Sequence, residues 1–261
     1  MSYPKNSHLH NFLIRQIVGA ACYADIAIAA GEIWSTNRLE VLIDDERFES
    51  YTGIYRRMRN GSISDNKILY RIQKTLEFKT LFTWRNHPLW PLLYDDYYHN
   101  DHILRALNSL PKNMRDSIFA EGQYDSRGVR LARHEVTHGL IKKIVAYENL
   151  NAFVAIMAFA REARENNIHR ISAFCALQIQ KLFPKVVCHT PQLYIRWPQL
   201  EKQLTRTIWS FPKTKTSMPW FSVKHNNLLS EIANEEKHAL ANHIKLPPKH
   251  VFRTINKNHL N

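Results

Sequence analysis

Residues 51–76, YTGIYRRMRNGSISDNKILYRIQKTL, decide how the first part of the chain is read. Arg56, Arg57 and Arg59 crowd one short segment that runs directly into Asn60-Gly61. Glycine ends a helix at little cost, because without a Cβ it adopts the left-handed conformation freely. Ser64 is then placed to cap a new helix in which Ile68, Leu69, Ile72 and Leu76 share a face. A basic helix, a glycine exit and a packing helix follow one another.

Working outward, helical periodicity covers most of the chain. Residues 8–33 read as a long alanine-rich helix, 37–43 as a second, and 48–59 and 65–78 as the third and fourth. The passage 81–98 carries Phe82, Trp84, Trp90, Tyr94, Tyr97 and Tyr98 around Pro88 and Pro91, and proline forbids one continuous helix there. It is read as a packed hinge that closes a first domain. Residues 101–119 read as a helix broken at Pro111, and 121–129 as a loop around Gly122 and Gly128. Helices are expected over 130–146, 149–166 and 168–183, the last ended by Pro184, and again over 198–209 and 226–244. Strand-like alternation is nearly absent. The expectation is a mostly α protein: an N-terminal domain over 1–100, a basic helical C-terminal domain over 101–244 and a basic tail over 245–261.

The chain has 36 Lys and Arg against 23 Asp and Glu, a net charge of +13, and a pI near 9.7. Such an excess points to an anionic partner, of which nucleic acid is the usual one. Residues 1–100 hold twelve basic and eleven acidic side chains, whereas 101–261 hold twenty-four and twelve. Cys22, Cys175 and Cys188 are odd in number and far apart, which excludes a disulfide framework and fits a reducing cytoplasm. The run IVGAACYADIAIAA at 17–30 contains Asp25 and reads as a buried helix rather than a secretory signal. No stretch reaches eighteen uncharged apolar residues, so no membrane partner is expected.

Residues 39–78 resemble the second half of a Cro/λ-repressor-type helix-turn-helix domain. The resemblance assigns Leu39–Ile43 to the scaffold helix, Asp44–Phe48 to the turn, Glu49–Arg59 to the recognition helix and Asp65–Phe78 to the helix that locks the unit. It turns Tyr55 and Met58 inward and sets Tyr51, Thr52 and Arg56 toward base edges, with Arg57, Arg59 and Asn60 beside them. Arginine suits the task, since it bridges guanine O6 and N7 and also pairs with phosphate. The implied function is duplex DNA binding, as a transcriptional regulator or an accessory protein of a mobile element or antiviral defence system. A homodimer is compatible with it and no cofactor is needed. The basic C-terminal domain would add contacts to nucleic acid or to a protein. A solvated basic surface helix is the plain alternative.

A second motif is His134-Glu135-Val136-Thr137-His138, which resembles the HExxH of the zincin peptidases. On a helix the two histidines would lie one turn apart and share a zinc ion, with Glu135 as general base. Glu148, Glu162, Glu165 and His169 are the candidates for a third ligand, and an ordinary pair of interhelical histidines is the alternative. A zinc-dependent peptidase is therefore the second reading. An RNA-binding or toxin-like effector that uses the basic C-terminal half is the third.

Overall fold

The computed structural model describes residues 12–44, 53–62, 64–94, 100–209 and 225–248. Among them the protein is helical throughout, with isolated β-bridges and no longer strand. The chain divides into two compact units. The first comprises 1–87, 190–202 and 239–261, and the second 88–189 and 203–238. The chain thus returns twice to its first unit, a path that a simple partition at residue 100 does not anticipate. Among the described residues the first unit holds thirteen Lys and Arg against seven Asp and Glu, and the second fifteen against eleven. Among these residues both units therefore carry a positive excess.

The first unit is built on α1 (Phe12–Ala29), against which α3 (Ile54–Arg59), α5 (Leu81–Arg85) and α12 (Pro191–Tyr194) pack. Helix α2 (Thr36–Asp44) packs on α3, and α4 (Asn66–Thr75) on α5. Most of α1 is buried, from Ile17 through Ala27 without a break, because its alanines and glycine let neighbouring backbones come close. The closest approach is at Gly19. A Cβ there would lie 2.7 Å from the Gly61 carbonyl carbon, and one on Gly61 would lie 2.4 Å from Gln16 Cα. Gly61 is also left-handed, with φ 98°. Two requirements therefore meet at one residue, a helix exit and a backbone contact. Asp65, not Ser64, caps α4, its carboxylate accepting from the Ile68 amide at 3.0 Å.

One buried polar cluster belongs to this unit. Asp25, 6 % exposed, accepts from the Thr80 hydroxyl at 2.7 Å and from Gln192 Nε2 at 3.2 Å. Burial raises its pKa above the ordinary carboxylate value, opposed by those two hydrogen bonds.

The second unit centres on α10 (Leu150–Glu165) and α11 (His169–Cys188), which pack along each other. Around them lie α6 (Leu89–Leu92), α7 (Asn100–Asn108), α8 (Lys112–Ile118), α9 (His138–Val145) and a π-helical turn (Thr205–Trp209). Helix α13 (Trp197–Leu204) crosses the sequence boundary between units, as does α14 (His225–Ala241). The aromatic passage resolves into α5 and the short α6, as its prolines require. Pro111 stands as the N-cap of α8, where its missing N–H is not needed. Pro184 does not end α11, which continues through it to Cys188. Proline removes only one hydrogen bond, and Leu182, Phe183, Val186 and Val187 on both sides are buried, so packing carries the helix past it.

Two helices, Phe12–Ala29 and His169–Cys188, are long and apolar enough to cross a membrane by length and composition. Their apolar windows are 72 % and 67 % buried inside the structure, as core helices are. Burial also raises the thiols of Cys22, Cys175 and Cys188 to about 12, which leaves them protonated and unreactive at neutral pH.

Two outcomes follow for stability. Helix propensity favours Ala over Gly, yet Gly19→Ala is expected to destabilise by about 2 kcal/mol through backbone overlap. The exposed Gly139, whose added Cβ would meet nothing closer than 3.7 Å, should gain stability as alanine. Urea midpoints of the two variants give the comparison. Because the folded Asp25 holds its proton to higher pH than the unfolded one, its contribution is greatest in acid and declines as pH rises above the ordinary carboxylate value of 3.8. Asp25→Asn, which retains hydrogen-bonding capacity on both sides, should flatten that decline and raise stability at pH 7 by about 1 kcal/mol, measurable as urea midpoints at pH 4.5 and 7.

Candidate functional site

In the first unit the arginine segment forms α3, which begins at Ile54 rather than Glu49. Gly53 stands before it in the left-handed conformation, with φ 61°, and so interrupts any helix running through 49–59. Tyr51 and Thr52 lie outside the described residues, as does most of the expected turn. Six residues make a helix about 9 Å long. Its apolar side is buried through Ile54, Tyr55 and Met58, and Arg56 and Arg57 are exposed on the other side.

Such a short helix persists because its C-terminal carbonyls all find donors. Asn60 N–H bonds Arg56 O at 3.1 Å, Ser62 N–H bonds Arg57 O at 2.8 Å, and Gly61 N–H bonds Met58 O at 2.9 Å. The last two form a Schellman closure around left-handed Gly61. The remaining carbonyl, that of Arg59, accepts from Arg196 Nη2 at 3.0 Å. Arg196 is 3 % exposed, and burial, with the charge of Arg59 nearby, lowers its pKa to about 10.

The three arginines therefore separate. Arg59 is half-buried and lies near the Tyr23 hydroxyl, so it is less open than its two neighbours. Arg56, Arg57 and the C-cap Asn60 are exposed. Exposed Lys67, Lys74 and Lys79 add to the positive charge of the same unit.

In the second unit the HExxH segment is not helical over its length. Helix α9 starts at His138, and Thr137, with φ −104° and ψ 162°, is its N-cap, accepting from Leu140 N at 3.2 Å. Upstream, the backbone is engaged elsewhere. The bridges Phe119–Arg133 and Tyr124–Arg130 pair residues 119–124 with 130–133, and His134 N–H bonds Ile118 O at 2.9 Å. The loop is closed by Asp125, whose Oδ1 accepts from Arg127 N and Val129 N at 2.9 Å each. Asn108 clamps the returning strand, bonding both N–H and C=O of Arg130. The helix expected over 130–146 is thus replaced by a hairpin-like turn and a shorter helix, and His134 and His138 do not share a helical face.

Two of the four candidate third ligands are committed elsewhere. Glu162 forms a bidentate ion pair with Arg133, one arm at 2.8 Å. Glu148 pairs with Lys185. Among the described residues no three His, Cys, Asp or Glu side chains gather as a metal site. Instead His134, Glu135 and His138 line an open cleft of about 680 Å³ with Arg133, Glu162 and Arg170, over an apolar wall that includes Phe159, Ala163 and Ile168. His134 and Glu135 are exposed. His138 is half-buried, its ring 4.4 Å from that of Phe174, and its Nε2 is buried without a hydrogen-bond partner.

Arg170 and Ile168 carry no sequence motif, and their place in the cleft comes from the α10–α11 turn. Asn167, with φ 55°, closes α10 as a left-handed residue, and Ile168 N–H bonds Ala163 O at 2.7 Å. The Asn166-Asn167 pair ahead of a basic dipeptide was the only legible sign of it.

No protein-family model matches the chain, and neither a curated protein nor a solved structure does.

With the two histidines on different backbone elements, one equivalent of zinc is expected to leave the melting temperatures of the wild type and of His134→Ala indistinguishable. A stoichiometric zinc-dependent rise that vanishes in the variant would show that the histidines converge on a metal.

Proposed function

We propose that the protein binds duplex DNA, and that Arg56 and Arg57 on α3 contact its phosphate backbone. One observation carries the reading: α3 buries Ile54, Tyr55 and Met58 while it leaves two adjacent guanidiniums on the surface of a protein with a net charge of +13. Opposed charge of this kind releases counterions from DNA and yields affinity without sequence information. A six-residue helix is too short to present the three or four base-reading side chains of a groove reader. Backbone contact is therefore its role here, and the regulator or mobile-element function rests on the resemblance of residues 39–78.

Gly61 fits the same reading. It holds the end of α3 against α1, so the two arginines project from a fixed base rather than from a loop. Contacts that are fixed before binding lose less entropy when the complex forms.

In a mobility-shift series on duplex DNA, log affinity is expected to fall linearly with log salt. Arg56→Ala should weaken binding by about 1 kcal/mol and reduce the slope by roughly one unit, equally on any duplex sequence. Arg59→Ala should act through stability instead. An unchanged slope in Arg56→Ala would remove α3 from the interface, and tighter binding to structured RNA than to duplex DNA would favour the effector reading.

A further inference from the structure

The second unit carries an open cleft lined by both charged and apolar side chains. Its volume of about 680 Å³ lies in the range of small-molecule sites. Its four charged side chains balance, two of each sign, so a positive bias comes only from backbone at the helix starts. Arg133 and Glu162 cancel each other in their bidentate pair. That leaves the exposed Arg170 and one carboxylate, Glu135, together with two helix starts.

The start of α11 is the stronger of the two. This helix is twenty residues long, its N-cap Ile168 offers no side-chain cap, and its first turn has no acidic residue. The first amides of a helix have no acceptor within it and carry about half a positive charge between them. Arg170 sits in that same turn. Helix α9 brings its own N-terminus to the cleft through Thr137 and His138. His138 also lines the cleft, with its Nε2 buried and without a hydrogen-bond partner. The rest of the wall, with Phe159, Ala163 and Ile168, is apolar.

We propose that this cleft binds a small amphiphilic anion, an apolar body bearing one carboxylate or phosphate. The anionic group would rest on the Arg170 guanidinium and the first amides of α11, and the body would lie against Phe159, Ala163 and Ile168. Both headgroups fit one guanidinium beside a helix N-terminus. The assignment is independent of DNA binding by the first unit.

Calorimetric titration of the full chain with phenyl phosphate, phenylacetate, inorganic phosphate, benzyl alcohol and benzylamine tests it. At least one aromatic anion should bind, and the tighter of the two identifies the headgroup. Benzyl alcohol and benzylamine should bind at least tenfold more weakly, and inorganic phosphate at least fivefold more weakly than phenyl phosphate. Arg170→Gln should weaken the preferred anion at least fivefold. Ile168→Asp, which puts a carboxylate at the same helix start, should abolish its binding while the melting temperature is unchanged or raised. Anions that bind no better than benzyl alcohol, or inorganic phosphate that matches phenyl phosphate, would overturn the proposal. Affinities that survive both substitutions would do the same.

Discussion

The backbone contact between Gly19 and Gly61 is the constraint on which the first unit depends. A helix and the turn after α3 meet there at a distance that leaves no room for a methyl group on either side. Everything around that point follows from it. Gly61 must be left-handed to close α3, and the closure places the Arg59 carbonyl where Arg196 donates to it. Arg196 arrives from residues 190–202, a distant part of the sequence that belongs to the same unit. Buried Asp25 ties in the same two partners of α1, with Thr80 ahead of α5 and Gln192 on α12. Close packing of small residues brings the helices together, and a few buried polar bonds fix which ones meet.

Where the sequence carried local signals, they were legible. The alanine-rich helix within 8–33, the Asn60-Gly61 exit, the break at Pro111 and the helix expected over 149–166 all correspond to elements that the structure contains. Local signals also misled where tertiary packing outweighed them. Pro184 reads as a stop, but the apolar residues on both sides of it are buried and the helix goes on. Gly53 reads as a tolerable interior residue, but it takes a left-handed conformation that starts a helix instead. The return of residues 190–202 to the first unit left no trace in composition, because long-range contacts are set by shape and not by periodicity.

The sites divide in the same way. The resemblance turned Tyr55 and Met58 inward and Arg56 outward with Arg57 beside it, and the first two are buried while both arginines are exposed. The partial burial of Arg59 near Tyr23 was not readable, since the two residues are far apart in sequence and meet only through packing. The HExxH spacing suggested a helix, yet Thr137 is itself an N-cap residue three places before Leu140, and Asp125 to Gly128 form a turn that draws residues 130–133 into pairing. What remained after the motif dissolved was a cleft in which Arg170 and the start of α11, outside any motif, stand beside His134, Glu135 and His138.

The Asn60-Gly61 dipeptide has a chemical consequence as well. Such pairs age by attack of the glycine nitrogen on the asparagine amide, which expels ammonia and leaves an isoaspartyl link in the main chain. Asn60 is exposed, but the Gly61 nitrogen is committed to the Met58 carbonyl and its backbone is wedged against α1. The folded turn therefore ties up the nucleophile, and the damage should accumulate chiefly during excursions that open α3. Isoaspartate at position 60 would serve as a slow chemical record of how often this corner of the protein comes apart.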